Sequence, residues 1–283
     1  MYKTLISAAD LHAMLDHPQL VIVDCRHDLM DSQAGQRAYA AGHLPGAHFM
    51  HLDHSLSGDK QRPDGVFAGR HPLPTREALI AALRAIGVND DSQVVAYDAQ
   101  GGMFAARLWW LLRWLGHDKV AVLDGGLPAW QAAGHGLSQE APAPQQGRIG
   151  ARAALTASVD VQDVLANLQS RARTVVDARA PDRFRGENET IDPVGGHIPG
   201  ALNRFFKDNL QADGRFKDSA ALRAEWQALG VGDAAHQFIM QCGSGVTACH
   251  NLLALEIAGL PGAALYPGSW SEWCADPARP LER

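Results

Sequence analysis

The chain has 283 residues, 46% of them hydrophobic and 20% charged, with a formal net charge of −6. That length suits two ordinary domains or one large one, and the composition is that of a soluble globular protein. The negative balance argues against nucleic acid or anionic membrane as a partner, and no apolar run approaches a membrane span.

Residues 1–16 carry Asp10, His12 and Asp16 without an apolar stretch, so no signal peptide is expected. Short β-branched runs then fall at 20–24, 93–97 and 120–123, separated by helix-like segments. One of those segments carries Trp109, Trp110 and Trp114, read as packing of the first half. A polar stretch containing Ala141-Pro142-Ala143-Pro144 reads as a linker. The second half repeats the alternation, with runs at 173–177, 237–241 and 263–266. Near-continuous apolar strands separated by helices predict an α/β protein, each half a mainly parallel sheet flanked by helices. The expected boundaries are a domain at 1–138, a linker at 139–151 and a domain at 152–283.

The halves are copies of one pattern. Val21-Ile22-Val23-Asp24-Cys25-Arg26 matches Val175-Val176-Asp177-Ala178-Arg179, and Gly42-His43-Leu44-Pro45-Gly46-Ala47 matches Gly196-His197-Ile198-Pro199-Gly200-Ala201. The copies diverge after the third run. The second half continues Gln241-Cys242-Gly243-Ser244-Gly245-Val246-Thr247-Ala248. The first half has Asp98-Ala99-Gln100-Gly101-Gly102, a loop that reads as one residue longer. A cysteine between a buried strand and a helix start sits where backbone N–H groups and the helix dipole favour an anion, and so a thiolate. Most free cysteines are buried and inert. Three small residues beside Cys242 argue instead for a loop that wraps an anion with its amides. An Asp or Ala at the matching position cannot act as a thiol nucleophile, so the first domain is expected to be non-catalytic and the second catalytic.

Three motifs, in order on this repeat, resemble the tandem-domain rhodanese family of sulfurtransferases over essentially the whole chain. They are Tyr39 with Gly42-His43-Leu44-Pro45-Gly46-Ala47, the loop Cys242 to Thr247, and Ala263-Ala264-Leu265-Tyr266-Pro267-Gly268-Ser269-Trp270-Ser271-Glu272-Trp273. The resemblance implies two tandem rhodanese-like domains and a cysteine that carries sulfur as a persulfide from a small donor to an acceptor. The acceptor would be thioredoxin, a small thiol or cyanide, and neither metal nor organic cofactor is required. Cys242-Gly243-Ser244-Gly245-Val246-Thr247 looks like the loop of 3-mercaptopyruvate sulfurtransferases, because thiosulfate-using members tend to place Arg and Lys after the cysteine. The resemblance then implies a proton-transfer set of Ser244, His71 and Asp53 behind Cys242. It implies donor contacts from Arg183, Gly243, Gly245, Val246, Thr247 and Trp270. Arg179 and Asp177 are read as a structural charge pair. One departure stands out. The second arginine usual in mercaptopyruvate enzymes falls at or near Asp192, so either Arg185 or Arg204 substitutes or the donor is another anion, with thiosulfate the alternative.

Other readings are weaker. A Cys-dependent phosphatase needs an arginine six positions after the cysteine, where Ala248 stands. A non-catalytic binding role sits poorly with an intact cysteine loop. His43, His48, His51 and His54 crowd one region, but His43 recurs as His197 in a structural motif and no ligand set accompanies the others, so no metal is expected. Cys25, Cys242, Cys249 and Cys274 follow no disulfide spacing, which suits a reducing compartment and predicts a cytoplasmic location.

Overall fold

Among the described residues, ten strands form two five-stranded sheets. The computed structural model describes residues 1–143, 145–232 and 234–283. The first sheet contains β1 (Leu5–Ile6), β2 (Leu20–Asp24), β3 (Ala47–Phe49), β4 (Gln93–Tyr97) and β5 (Val120–Leu123), in the order β1-β5-β4-β2-β3. The second contains β6 (Ala157–Ser158), β7 (Thr174–Asp177), β8 (Leu202–Asn203), β9 (Phe238–Gln241) and β10 (Ala264–Leu265), in the order β6-β10-β9-β7-β8. Each pairing is parallel. The sequence runs anticipate β2, β4, β5, β7, β9 and β10. The four edge strands are only two or three residues long and leave no periodic signal.

The central strands β4 and β9 are buried at every position because helices cover both faces of a parallel sheet. Their registers match. Asp24 pairs with Tyr97 in the first sheet and Asp177 with Gln241 in the second, so Asp98 and Cys242 each leave the end of a central strand. The helix Thr247–Ile257 that follows Cys242 is buried along Ala248 to Leu255. A helix that is apolar on most faces is a core element, and each buried Leu in it contributes roughly 1.5–3 kcal/mol. That burial fixes the position of the helix N-terminus.

The chain divides into two compact units, one of Met1–Gly58, Pro74–Leu155 and Gln211–Phe216, the other of Asp59–Leu73, Thr156–Leu210 and Lys217–Arg283. Two short segments therefore differ from a simple split at the linker. Each carries the same turn, Pro63-Asp64-Gly65-Val66-Phe67 in one and Ala212-Asp213-Gly214-Arg215-Phe216 in the other. Each turn closes with a glycine at positive φ, +81° at Gly65 and +82° at Gly214. The expected linker, 139–151, includes Pro144, which lies outside the described residues. Its later part follows the first unit, with Gly147 N–H donating to the Arg84 carbonyl at 2.8 Å and Ile149 N–H to Val88 at 3.0 Å.

Segment 59–73 brings His71 to the second unit, and three contacts within that unit hold it there. Arg62 pairs with the buried Glu272, Arg70 N–H donates to Ser271 Oγ at 3.1 Å, and Arg70 pairs with Asp192. Gly69 has φ +104°, and a Cβ there would lie 2.8 Å from the Gly268 carbonyl oxygen, so only glycine allows this approach.

Candidate active site

Cys242 is 2% exposed and starts the loop between β9 and the buried helix. The signature around Tyr266 to Trp273 frames it. Trp270 N–H donates to the Cys242 carbonyl and Ser271 N–H to the Gly243 carbonyl, both at 2.9 Å. Cys242 N–H donates to Ser269 Oγ at 3.1 Å, and that hydroxyl donates to the Tyr266 carbonyl at 2.9 Å. Ser269 adopts a left-handed φ of +53° to make this bridge. Gly245 has φ +75°, and a Cβ on it would lie 2.4 Å from the Pro267 carbonyl oxygen. The loop then enters the helix with its first N–H groups lacking any partner inside the helix. Their partial positive charge is where a sulfur anion gains most.

The first unit reveals what this loop geometry holds. Asp98, fully buried, occupies the position of Cys242. Its Oδ1 accepts from Gln100 N–H at 2.8 Å and Gly102 N–H at 2.9 Å, and its Oδ2 accepts from Phe104 N–H at 2.8 Å and Ala105 N–H at 3.0 Å. Four amides thus converge on one carboxylate at a helix start. The matching position is Asp98 and not Ala99. The connection Asp98 to Phe104 has seven residues against five from Cys242 to Val246, so it is longer by two and not by one.

His71 Nδ1 lies 2.8 Å from Ser244 Oγ, and both side chains are buried. These two expected residues meet within one unit, and Ser244 lies two positions after the cysteine. Asp53 lies in the other unit, in the first turn of the short helix Leu52–Ser55. Its N–H donates to His51 Nδ1 at 3.0 Å, and its carboxylate is 4.0 Å from His27 Nε2. His27, His51 and Asp53 form a cluster of metal-ligand types. His51 Nε2 donates to the Ser32 carbonyl at 2.8 Å while Nδ1 accepts from Asp53, so both ring nitrogens are committed and the cluster does not fit an ion. His43 and His197 are structural: each ring nitrogen Nδ1 bonds a carbonyl, of Tyr39 at 2.8 Å and of Phe184 at 2.9 Å, and each ring stacks on that same residue.

Arg183 donates to Glu189 at 2.8–3.2 Å and to Asp192 at 3.3 Å. Arg179 pairs with Asp177 at 2.6 Å and also donates to the Gly196 carbonyl at 2.7 Å, as Arg26 does to Asp24 and Gly42 in the first unit. Burial pulls Glu189 upward, but the Arg183 hydrogen bond and two backbone N–H groups hold it below the usual carboxylate range. Asp192 ends above that range because burial outweighs the attraction of Arg70 and Arg183.

The two arginines offered for the second cation are each engaged elsewhere. Arg185 is exposed and pairs with Glu187 at 2.7 Å, and Arg204 donates to Glu225 at 2.5 Å and lies over the Trp226 ring. The second cation beside the loop is Arg70. A Cβ on Gly243 would lie 2.7 Å from Arg70 Nη2 and 3.7 Å from Arg183 Nη2, so both guanidinium groups lie over the bare backbone of Gly243. Sequence reading passed over Arg70 although it adjoins His71; only the packing of segment 59–73 brings it here. Val246 and Thr247 cap and start the helix, and Trp270 borders the site through its backbone while its ring stands in the core beneath Arg179 at 4.7 Å. Burial pushes the Cys274 thiol up to about 11 and holds Cys25 well above the ordinary thiol range, so neither is a competing nucleophile.

A buried cysteine in a small-residue loop at the end of the central strand of a parallel sheet, on one of two matched units, is the arrangement of a rhodanese-like protein. Residues 7–133 and 160–276 each match the rhodanese-like domain, and the chain belongs to that family. It is 48% identical over 278 residues to the probable 3-mercaptopyruvate sulfurtransferase of Pseudomonas aeruginosa, covering 98% of this chain and 97% of that one. It is 33% identical to the thiosulfate sulfurtransferase of Bos taurus, over 96% of this chain and 92% of the other. The crystal structure of the 3-mercaptopyruvate enzyme SseA from Escherichia coli superposes with a TM-score of 0.82 at 34% identity, covering 95% of this chain and all of that one. Among the described residues, no helix is long and apolar enough to cross a membrane.

Proposed function

We propose that this sulfurtransferase takes sulfur from 3-mercaptopyruvate onto Cys242 and passes it to a thiol. The observation that carries the choice of donor is the 2.8 Å contact between His71 Nδ1 and Ser244 Oγ, in a loop where Gly243 and Ser244 bring no cation of their own. Thiosulfate leaves as sulfite and needs no proton on the leaving atom. Mercaptopyruvate leaves as the enolate of pyruvate, which does. A buried His–Ser pair beside the nucleophile can deliver that proton.

The step balances as follows. The Cys242 thiolate attacks the donor sulfur, an S–S bond forms and the C–S bond breaks. The electron pair of the C–S bond goes to the enolate, the proton of the donor's S–H passes through His71 and Ser244 to the enolate carbon, pyruvate leaves, and the persulfide remains as the anion. The persulfide rests against the loop amides, where a carboxylate rests in the first unit. An acceptor thiolate, from a small thiol or a protein such as thioredoxin, then attacks the outer sulfur and regenerates Cys242. Gly243, Gly245, Val246 and Thr247 contribute backbone to the pocket, and Trp270 holds the loop from beneath. Asp53 is assigned to the proton-transfer set by its similarity to the family's acidic member. A cytoplasmic location fits its four free cysteines.

Steady-state rates with each donor test the assignment. His71→Ala and Ser244→Ala should lower kcat with mercaptopyruvate by roughly 10²-fold or more, the usual worth of positioned proton transfer, and thiosulfate turnover by far less. Equal losses with both donors would remove the proton-transfer role. Faster wild-type turnover of thiosulfate would make thiosulfate the donor, as the Bos taurus relative's name has it.

A further inference from the structure

We infer that the Asp192 carboxylate is a tethered occupant of the donor's anion seat, held between Arg70 and Arg183 over Gly243, and that a donor must displace it to bind. The inference rests on the anionic-donor reading above. Asp192 is 8% exposed, pairs with Arg70 and accepts from Arg183 Nη2 at 3.3 Å. The same two guanidinium groups lie closest to the Gly243 backbone, one residue from the nucleophile. Two arginines on one anion beside a reactive sulfur is what an anionic donor requires. Here the chain has placed its own anion on them.

Charge supports displacement over simple addition. Arg70, Arg179 and Arg183 face Asp177, Glu189 and Asp192, so the cluster is neutral with Asp192 in place. Adding a donor carboxylate while Asp192 stays ionised and seated would leave an excess buried negative charge, which such surroundings disfavour. The donor binds without that cost if Asp192 swings away or takes up a proton. The groups facing Asp192 are Arg70 from segment 59–73, Arg183 and Arg179 from the chain after β7, Glu189 from its own loop and Cys274 from the last helix. The arginines stay charged, Glu189 is held ionised by Arg183, and burial keeps Cys274 a neutral thiol, so among these groups Asp192 is the one that can gain a proton. Glu189 does not compete as the occupant, because its bonds go to Arg183 and Arg179, whereas Asp192 joins Arg70 and Arg183, the two arginines over Gly243. Asp192 thereby sets specificity: it raises the concentration at which any small anion occupies the seat, and it favours donors whose other contacts reward its displacement.

The test reads binding without turnover. In the Cys242→Ser background, titrate pyruvate by calorimetry at about pH 7. Asp192→Asn should tighten pyruvate about tenfold, the loss of one competing charge-assisted contact. Arg70→Ala should weaken pyruvate by a similar factor. Equal or weaker binding by Asp192→Asn would mean that Asp192 only props Arg70, and would overturn the inference. If Asp192→Asn does not fold, Asp192→Ala serves in its place, and pyruvate binding no tighter than in the Asp192-intact protein overturns it equally. Failure of both donors to load Cys242 in the wild-type chain would instead overturn the sulfur-transfer reading and leave these binding results to be judged alone.

Discussion

The four-amide cradle around Asp98 makes a quantitative prediction about the stability of the first unit. Asp98→Ala removes one buried anion and leaves the N–H groups of Gln100, Gly102, Phe104 and Ala105 facing a cavity. Hydrogen bonds to a charged group are worth about 1.5–3 kcal/mol each, but the four are not independent and water entering the cavity replaces some. A net loss of about 3–5 kcal/mol follows, which lowers the unfolding midpoint of a unit this size by roughly 10 °C or more. Differential scanning calorimetry measures it, and the transition of the first unit should move more than that of the second. Asp98→Asn keeps the shape but turns an NH₂ toward one pair of amides, so it should lose part of the same stability. Sodium formate should recover part of the loss in Asp98→Ala by seating a carboxylate in the vacated cradle. A shift below about 2 °C for Asp98→Ala would refute the reasoning, because four amides committed to an anion cannot lose it at that cost.

Further predictions concern the catalytic unit. Gly245→Ala forces a side chain into a φ of +75° against the Pro267 carbonyl, so it should cost about 2–4 kcal/mol and lower sulfur loading more than any exposed substitution; calorimetry and donor kinetics read both. Iodoacetamide at pH 8 should alkylate Cys242 ahead of Cys25 and Cys274, seen by peptide mass, because burial keeps the latter two as thiols. Cys274 in the folded chain sits above its unfolded value, so folding binds its proton more tightly and stability should fall as pH climbs from the ordinary thiol range toward about 11. Cys274→Ala should flatten that decline in urea midpoints measured across the range; an unchanged slope would assign it to other groups.

Much of this was legible in the sequence because the chain states its pattern twice. β4 and β9 are apolar at most positions, and a buried parallel strand has that appearance whatever surrounds it. The Cys242 loop was legible because small residues next to a thiol have few structural uses. The edge strands were not, since Leu202–Asn203 and Ala157–Ser158 are too short to show a period. Arg70 was missed for another reason. Its role depends on segment 59–73 lying with the second unit, held by Arg62 on Glu272 and by the glycine contact at Gly69, and no local pattern encodes a pairing 122 residues away. Asp192 was noticed only as a departure, an acid where a base was expected. Its position between two arginines explains how an acid is accommodated there.

The measurement closest to the central claim is the intact mass of the protein after brief exposure to 3-mercaptopyruvate, and separately to thiosulfate. One added sulfur, roughly 32 Da, should appear on Cys242, sooner with mercaptopyruvate, be removed by a thiol acceptor, and be absent from Cys242→Ser. No gain in mass with either donor, or a gain that persists in Cys242→Ser, would contradict it.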